Sequence, residues 1–127
     1  MRYQEECKKY FQSVDNVLNN AILGIKVQLA EGNNEEFFKL CSSIKETEIE
    51  LNEMAEKVGE LSDNLMQVGE FDNVLAYKEI QFKLEDLIFE LIFYVETALK
   101  YKDIEVDMDS LDESFKNYID IKKTYNL

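Results

Sequence analysis

Apolar residues recur at intervals of three and four along most of the chain, the spacing that places them on one side of an α-helix. Near the N-terminus this series includes Cys7, Phe11 and Val14 and predicts a helix from about Arg2 to Ala30. No proline occurs anywhere in the sequence to interrupt such helices. The pattern therefore predicts a protein made of helices only.

Glycine and capping residues divide this pattern into separate helices. Gly32 ends the first helix, and Asn33 followed three residues later by Glu36 is an N-cap signature that opens a second. The second helix continues to Gly69, and Gly59 with the triplet 62–64 could bend or split its end.

The C-terminal half contains two more predicted helices. Asp72 is a candidate N-cap for a third helix over about 73–102, and the following segment 103–109 alternates acidic with apolar residues as a loop. Ser110 and Glu113 have the spacing of a capping box, which predicts a short fourth helix. Long helices joined by tight turns run antiparallel. The fold class predicted for residues 1–127 is one all-α domain, an antiparallel helical bundle of three long helices plus a short C-terminal helix.

The third helix has two apolar faces. At 100° per residue, one side holds the residues expected in the core: Tyr77, Ile80, Leu84, Leu87, Ile88, Leu91, Val95 and Ala98. The opposite side holds the residues that we name the apolar stripe: Phe71, Leu75, Phe82, Phe89 and Phe93. Either the fourth helix covers this stripe, or the stripe is exposed and serves as an interface, for a homodimer or for a partner helix.

Composition removes several classes of chemistry. The sequence has no histidine, which is the commonest side chain for acid–base work near neutral pH and part of the di-iron motif of helical bundles. Cys7 and Cys41 are too far apart in sequence to suggest a zinc site, and no phosphate-binding glycine motif is present. The sequence therefore predicts no catalytic residues, no metal and no cofactor.

One acidic segment resembles a calcium loop only superficially. In the twelve-residue register that starts at Asp103, Met108 stands where the turn needs glycine and Ser114 where it needs a bidentate glutamate. The most apolar stretch, 84–101, carries five charged residues, which argues against a membrane span. The N-terminus lacks an apolar leader, and we therefore expect a cytoplasmic protein.

Charge is the strongest functional indication. Acidic residues number 27 against 14 basic ones, for a net charge of −13. The second predicted helix carries carboxylates at steps of three and four, which we name the acidic ridge: Glu46, Glu50, Glu53, Glu56, Glu60 and Asp63. Like charges at this spacing destabilise a helix by about 0.2–0.5 kcal/mol per pair, and here only Lys57 interrupts them. The ridge either keeps the protein in solution or binds a basic partner.

These patterns favour a non-catalytic acidic module that docks on a basic surface of a partner protein and masks it, as inhibitor, immunity or phage anti-defence proteins do. Where that surface binds nucleic acid, the ridge would imitate phosphates, and the module itself would bind no nucleic acid and no membrane. The alternative is a structural assembly or secretion-adaptor subunit that acts through the apolar stripe.

Overall fold

The computed structural model describes the backbone of residues 2–127 and the side chains of residues 5–127. This part of the chain forms five α-helices and one 3₁₀ turn and contains no β-strand. The all-α prediction is confirmed. The helices are α1 (Arg2–Glu31), α2 (Asn34–Glu46), α3 (Glu48–Gln67), α4 (Val74–Lys100) and α5 (Asp109–Thr124), and the 3₁₀ turn at Phe71–Asn73 precedes α4.

The second predicted helix is two helices, α2 and α3, separated at Thr47. The Thr47 amide and its hydroxyl group both donate to the carbonyl oxygen of Ile44, at 3.0 and 2.7 Å. A threonine hydroxyl that bonds to a nearby carbonyl offers the backbone an alternative to the regular helical hydrogen bond. The second predicted helix is therefore interrupted near its middle, whereas α3 continues without a break through Gly59.

The predicted ends of the first two helices agree with the structure. Gly32 and Gly69 have φ angles of +70° and +80°, a conformation that favours glycine, and they follow α1 and α3. The Asn33 side chain accepts a hydrogen bond from the Glu36 amide at 3.2 Å, which confirms the predicted N-cap.

The predicted caps of the later helices are wrong. Asp72 lies inside the 3₁₀ turn, and α4 begins at Val74. Helix α5 begins at Asp109, so Ser110 is inside the helix, and Met108 precedes it without a side-chain cap. Asp109 and Asp112 lie in the first turn of α5, where carboxylates interact favourably with the free amides of the helix end.

The described chain groups into two compact units, while one domain over 1–127 remains a prediction. The first unit joins the chain up to Glu48 with Leu91–Asp107. Within it, α1 and α2 approach so closely that a methyl group on Gly24 would lie 3.1 Å from the Leu40 side chain. Lys45 hydrogen-bonds to Glu48 and, at 2.6 Å, to Glu96, and both bonds raise the pKa of Lys45.

The second unit joins Ile49–Glu90 with Met108–Leu127. Helices α3 and α4 contact closely here, because a methyl group on Gly59 would lie 2.8 Å from the Gln81 amide nitrogen. The buried Ser62 hydroxyl donates to the Val74 carbonyl at 2.9 Å. After the end of α5, the Tyr125 hydroxyl donates to Glu79 at 2.6 Å. These bonds hold α3 and α5 to the N-terminal part of α4.

Candidate protein-binding surfaces

The two apolar faces of α4 differ sharply in burial. Every residue predicted for the core side is buried, from Tyr77 to Ala98. The five residues of the apolar stripe are all exposed, by 57% to 69%. The structure therefore excludes the alternative in which the C-terminal helix covers the stripe. Its role as an interface remains a prediction.

The stripe divides between the two units. Phe71 lies in the 3₁₀ turn, and Leu75, Phe82 and Phe89 follow on α4, all in the second unit. Phe93 lies farther along α4, in the first unit. The longest part of the stripe thus belongs to one compact unit, where three of its residues recur at intervals of seven.

Sequence reasoning missed charged and apolar neighbours of the stripe. Lys78 lies three residues after Leu75 and four before Phe82, and so it interrupts the stripe. The same helical spacing could have identified it. Met66 and Val68, which are 53% and 62% exposed, add apolar surface close to the 3₁₀ turn in the sequence, and no periodic signal marks them.

The acidic ridge is shorter than predicted. Because α2 ends at Glu46, this residue does not share a helix with the other five, which all lie on α3. These five are exposed and occupy the side of α3 opposite its buried residues, over roughly 20 Å from Glu50 to Asp63 at 1.5 Å per residue.

Lysines partly neutralise one end of the ridge. Lys57 lies 3.7 Å from the Glu60 carboxylate, and Lys78 lies 3.3 Å from that of Asp63. No such pair is formed by Glu50, Glu53 or Glu56 within the described residues. The uncompensated charge of the ridge is thus concentrated in the N-terminal half of α3.

A half-open cavity of about 250 Å³ lies in the first unit between α2, the end of α4 and the loop after it. Phe37 and Tyr94 line it, and the Lys102 ammonium lies 5.3 Å from the centre of the Phe38 ring, which also contributes to the wall. The wall of this cavity contains both apolar side chains and charged side chains of the loop after α4.

Two buried titratable groups of the first unit, Cys41 and Tyr94, hold their protons tightly. Burial raises the pKa of the Cys41 thiol to about 11. Burial, with smaller contributions from Cys41 and Glu105, raises the pKa of the Tyr94 hydroxyl to about 12. Near neutral pH both groups are protonated, and neither is activated as a nucleophile or base.

We expect Cys41 to react very slowly with thiol reagents in the native protein. With a pKa near 11, only about one thiol in a thousand is ionised at pH 8, and the side chain is fully buried. Release of thionitrobenzoate by a Cys7→Ala variant measures this rate, with the guanidinium-unfolded variant as the control. Comparable rates in the folded and unfolded variant would contradict the prediction.

No group of three or more side chains that could hold a metal ion occurs within the described residues. No helix of this part of the chain has both the length and the apolar character needed to cross a bilayer. No protein-family model, curated protein or solved structure matches the chain.

Proposed function

We propose that this protein is a non-catalytic module that binds other proteins, and that the apolar stripe of α4 is its main contact surface. The observation that carries this proposal is the exposure of three phenylalanines and a leucine on the second unit, each by about two thirds. Single exposed apolar residues are ordinary on protein surfaces, whereas several large ones grouped on one side are typical of an interface.

The chemistry of the stripe suits protein binding. Aromatic side chains supply a large contact area with few rotatable bonds, and they are enriched where interfaces derive most of their energy. An unoccupied stripe would leave several hundred Å² of apolar surface in water, which is as much as the largest patch on a typical monomer. In this reading the protein is a structural assembly or adaptor subunit.

A second candidate function rests on the acidic ridge. Glu50, Glu53 and Glu56 present negative charge on the exposed side of α3, and the whole chain carries a net charge of −13. Such a surface attracts basic proteins and repels nucleic acid and anionic lipids. In this version the protein masks a basic surface, as an inhibitor, immunity or phage anti-defence protein does, and the carboxylates stand in for phosphates.

In both candidate functions the protein acts in the cytoplasm. Neither function requires a metal ion, a cofactor or a catalytic residue. We also propose that its helices form an antiparallel bundle, because short glycine turns at Gly32 and Gly69 separate long helices.

Affinity capture from the native host with three matched baits separates the two candidates. We expect Phe82→Asp to abolish capture of partners that bind through the stripe and to leave partners of the ridge bound. A bait in which Glu50, Glu53 and Glu56 are all replaced by lysine should show the opposite pattern. Capture through the ridge should also weaken steeply as salt rises, while capture through the stripe persists.

The control for the ridge bait reverses three exposed acids on α1, Glu5, Glu6 and Glu31, and so changes the net charge by the same amount. If the ridge bait and the control bait lost partner capture equally, the loss would come from the change in net charge and not from the ridge. Unchanged capture by Phe82→Asp would exclude the stripe as the contact surface.

A further inference from the structure

We propose that a second copy of this chain covers the apolar stripe, with the two α4 helices antiparallel and centred on Phe82. This inference rests on the proposed function of the stripe, and it names the partner. Three features of the second unit carry it: the register of the apolar residues, the positions of the charges between them, and the area that they expose.

The apolar residues are placed symmetrically about Phe82. Leu75 lies seven residues before it and Phe89 seven residues after it, so each is about 10.5 Å away along the helix axis. Seven residues are nearly two helical turns, which keeps all three on one face. Antiparallel pairing about Phe82 brings Leu75 of each copy level with Phe89 of the other and places the two Phe82 rings together. The stripe is therefore complementary to itself, as a two-fold interface requires.

Three charged residues beside the stripe have unlike charges on the two sides of Phe82. The cation Lys78 lies four residues before Phe82, whereas Glu85 and Asp86 lie three and four residues after it. The acid Glu79, three residues before Phe82, accepts a hydrogen bond from the Tyr125 hydroxyl of its own chain. Antiparallel pairing brings Lys78 of one copy level with the two acids of the other, twice per dimer. Parallel pairing would set lysine beside lysine and acid beside acid, which is unfavourable.

The exposed area is sufficient for a dimer of modest affinity. A fully covered aromatic side chain buries roughly 150–250 Å² of surface. The stripe residues of the second unit are about two thirds exposed and can therefore bury much of this area in a contact. With Lys78, Glu85 and Asp86 at the rim, the contact approaches the ~800 Å² per partner of a standard interface. Two copies with a net charge of −13 each also repel one another. The dimer should therefore tighten as salt screens this repulsion, unlike a contact between the ridge and a basic protein.

Sedimentation equilibrium of the full chain tests the inference. We expect the wild type to pass from monomer to dimer in the micromolar range, with a smaller dissociation constant in higher salt. Phe82→Asp should raise the dissociation constant by at least about thirtyfold, because it places two carboxylates at the centre of the contact. Far-ultraviolet circular dichroism should show unchanged helicity, since Phe82 is exposed.

A charge exchange tests the antiparallel register. Lys78→Glu alone, and Glu85→Lys with Asp86→Lys alone, should each weaken self-association by about tenfold, because each sets like charges against each other. Mixing these two variants should restore dimers, as heterodimers in which every pair is again opposite in sign. Lys57→Glu is the matched control, because Lys57 and Lys78 are both half-exposed and each pairs with a carboxylate on α3. It should leave self-association unchanged.

Three results would overturn the inference: a wild type that stays monomeric at millimolar concentration, a dimer insensitive to Phe82→Asp, or no restoration on mixing. If the wild type is monomeric but its capture of partners still depends on Phe82, the dimer is excluded and the proposed function of the stripe still stands. A monomeric wild type whose capture is independent of Phe82 would overturn both.

Discussion

Replacing Leu84 by alanine should lower the free energy of unfolding by about 3 kcal/mol, whereas Phe82→Ala should change it by less than about 0.5 kcal/mol. Both residues lie on α4, two positions apart, but Leu84 is fully buried and Phe82 is 67% exposed. Removing three carbon atoms from a packed core loses their transfer free energy and leaves a cavity. Removing the largely exposed ring of Phe82 loses little transfer free energy and leaves no enclosed cavity.

Urea unfolding of the two variants, followed by circular dichroism, gives both values. Native domains are stable by only about 5–15 kcal/mol, so the Leu84 variant should unfold at a clearly lower midpoint. The measurement is made at protein concentrations low enough to keep the chain monomeric, because dimerisation would add stability through Phe82. Equal losses at the two positions in the monomer would show that the stripe is part of the core and would remove it as a binding surface.

The two faces of α4 illustrate what a sequence can and cannot predict. Helical periodicity assigned eight apolar residues between Tyr77 and Ala98 to the core side, and all eight are buried. It did not assign Ala76, Ile92 and Tyr94, which are buried as well. Periodicity does not state whether the second apolar side also meets another helix. That depends on where α5 packs, and the contact of Tyr125 with Glu79 could not be predicted from local spacing.

The break at Thr47 limited the prediction of the acidic ridge. No glycine or proline marks this position, and the spacing of charges continues through it from Glu46 to Glu50. At the break the Thr47 hydroxyl bonds to the Ile44 carbonyl at 2.7 Å, but Thr97 makes an equally short bond to the Phe93 carbonyl inside the unbroken helix α4. Threonine lies inside many helices without breaking them, so its presence alone did not indicate a boundary.

Within the second unit, the stripe residues of α4 and the ridge residues of α3 lie on neighbouring helices, and one residue connects them. Lys78 interrupts the stripe on α4 and pairs with Asp63 of the ridge. A surface-exposed pair of this kind contributes only about 0–1 kcal/mol, so Lys78 can exchange Asp63 for an acid of another molecule at little cost. Occupation of the stripe would then leave Asp63 with more of its negative charge uncompensated.

Lys122→Glu should lower the free energy of unfolding by about 3 kcal/mol or more, which is a large effect for a change near the end of a chain. Lys122 is only 4% exposed, and its ammonium lies 4.7 Å from the centre of the buried Tyr118 ring. The face of an aromatic ring attracts a cation and repels an anion. The variant would therefore place a carboxylate with little access to water against a negative ring face.

Lys123→Glu provides the control, because Lys123 is exposed and also lies in the last turn of α5. Both substitutions lose the favourable interaction of a cation with the C-terminal end of the helix, which is about 0.3–1 kcal/mol. Only Lys122→Glu also loses the ring contact and buries a new charge. Lys122→Met, which keeps the length of the side chain, should fall between the two. If thermal and urea unfolding gave equal losses for Lys122→Glu and Lys123→Glu, the contact with Tyr118 would contribute nothing, and the helix end alone would account for both.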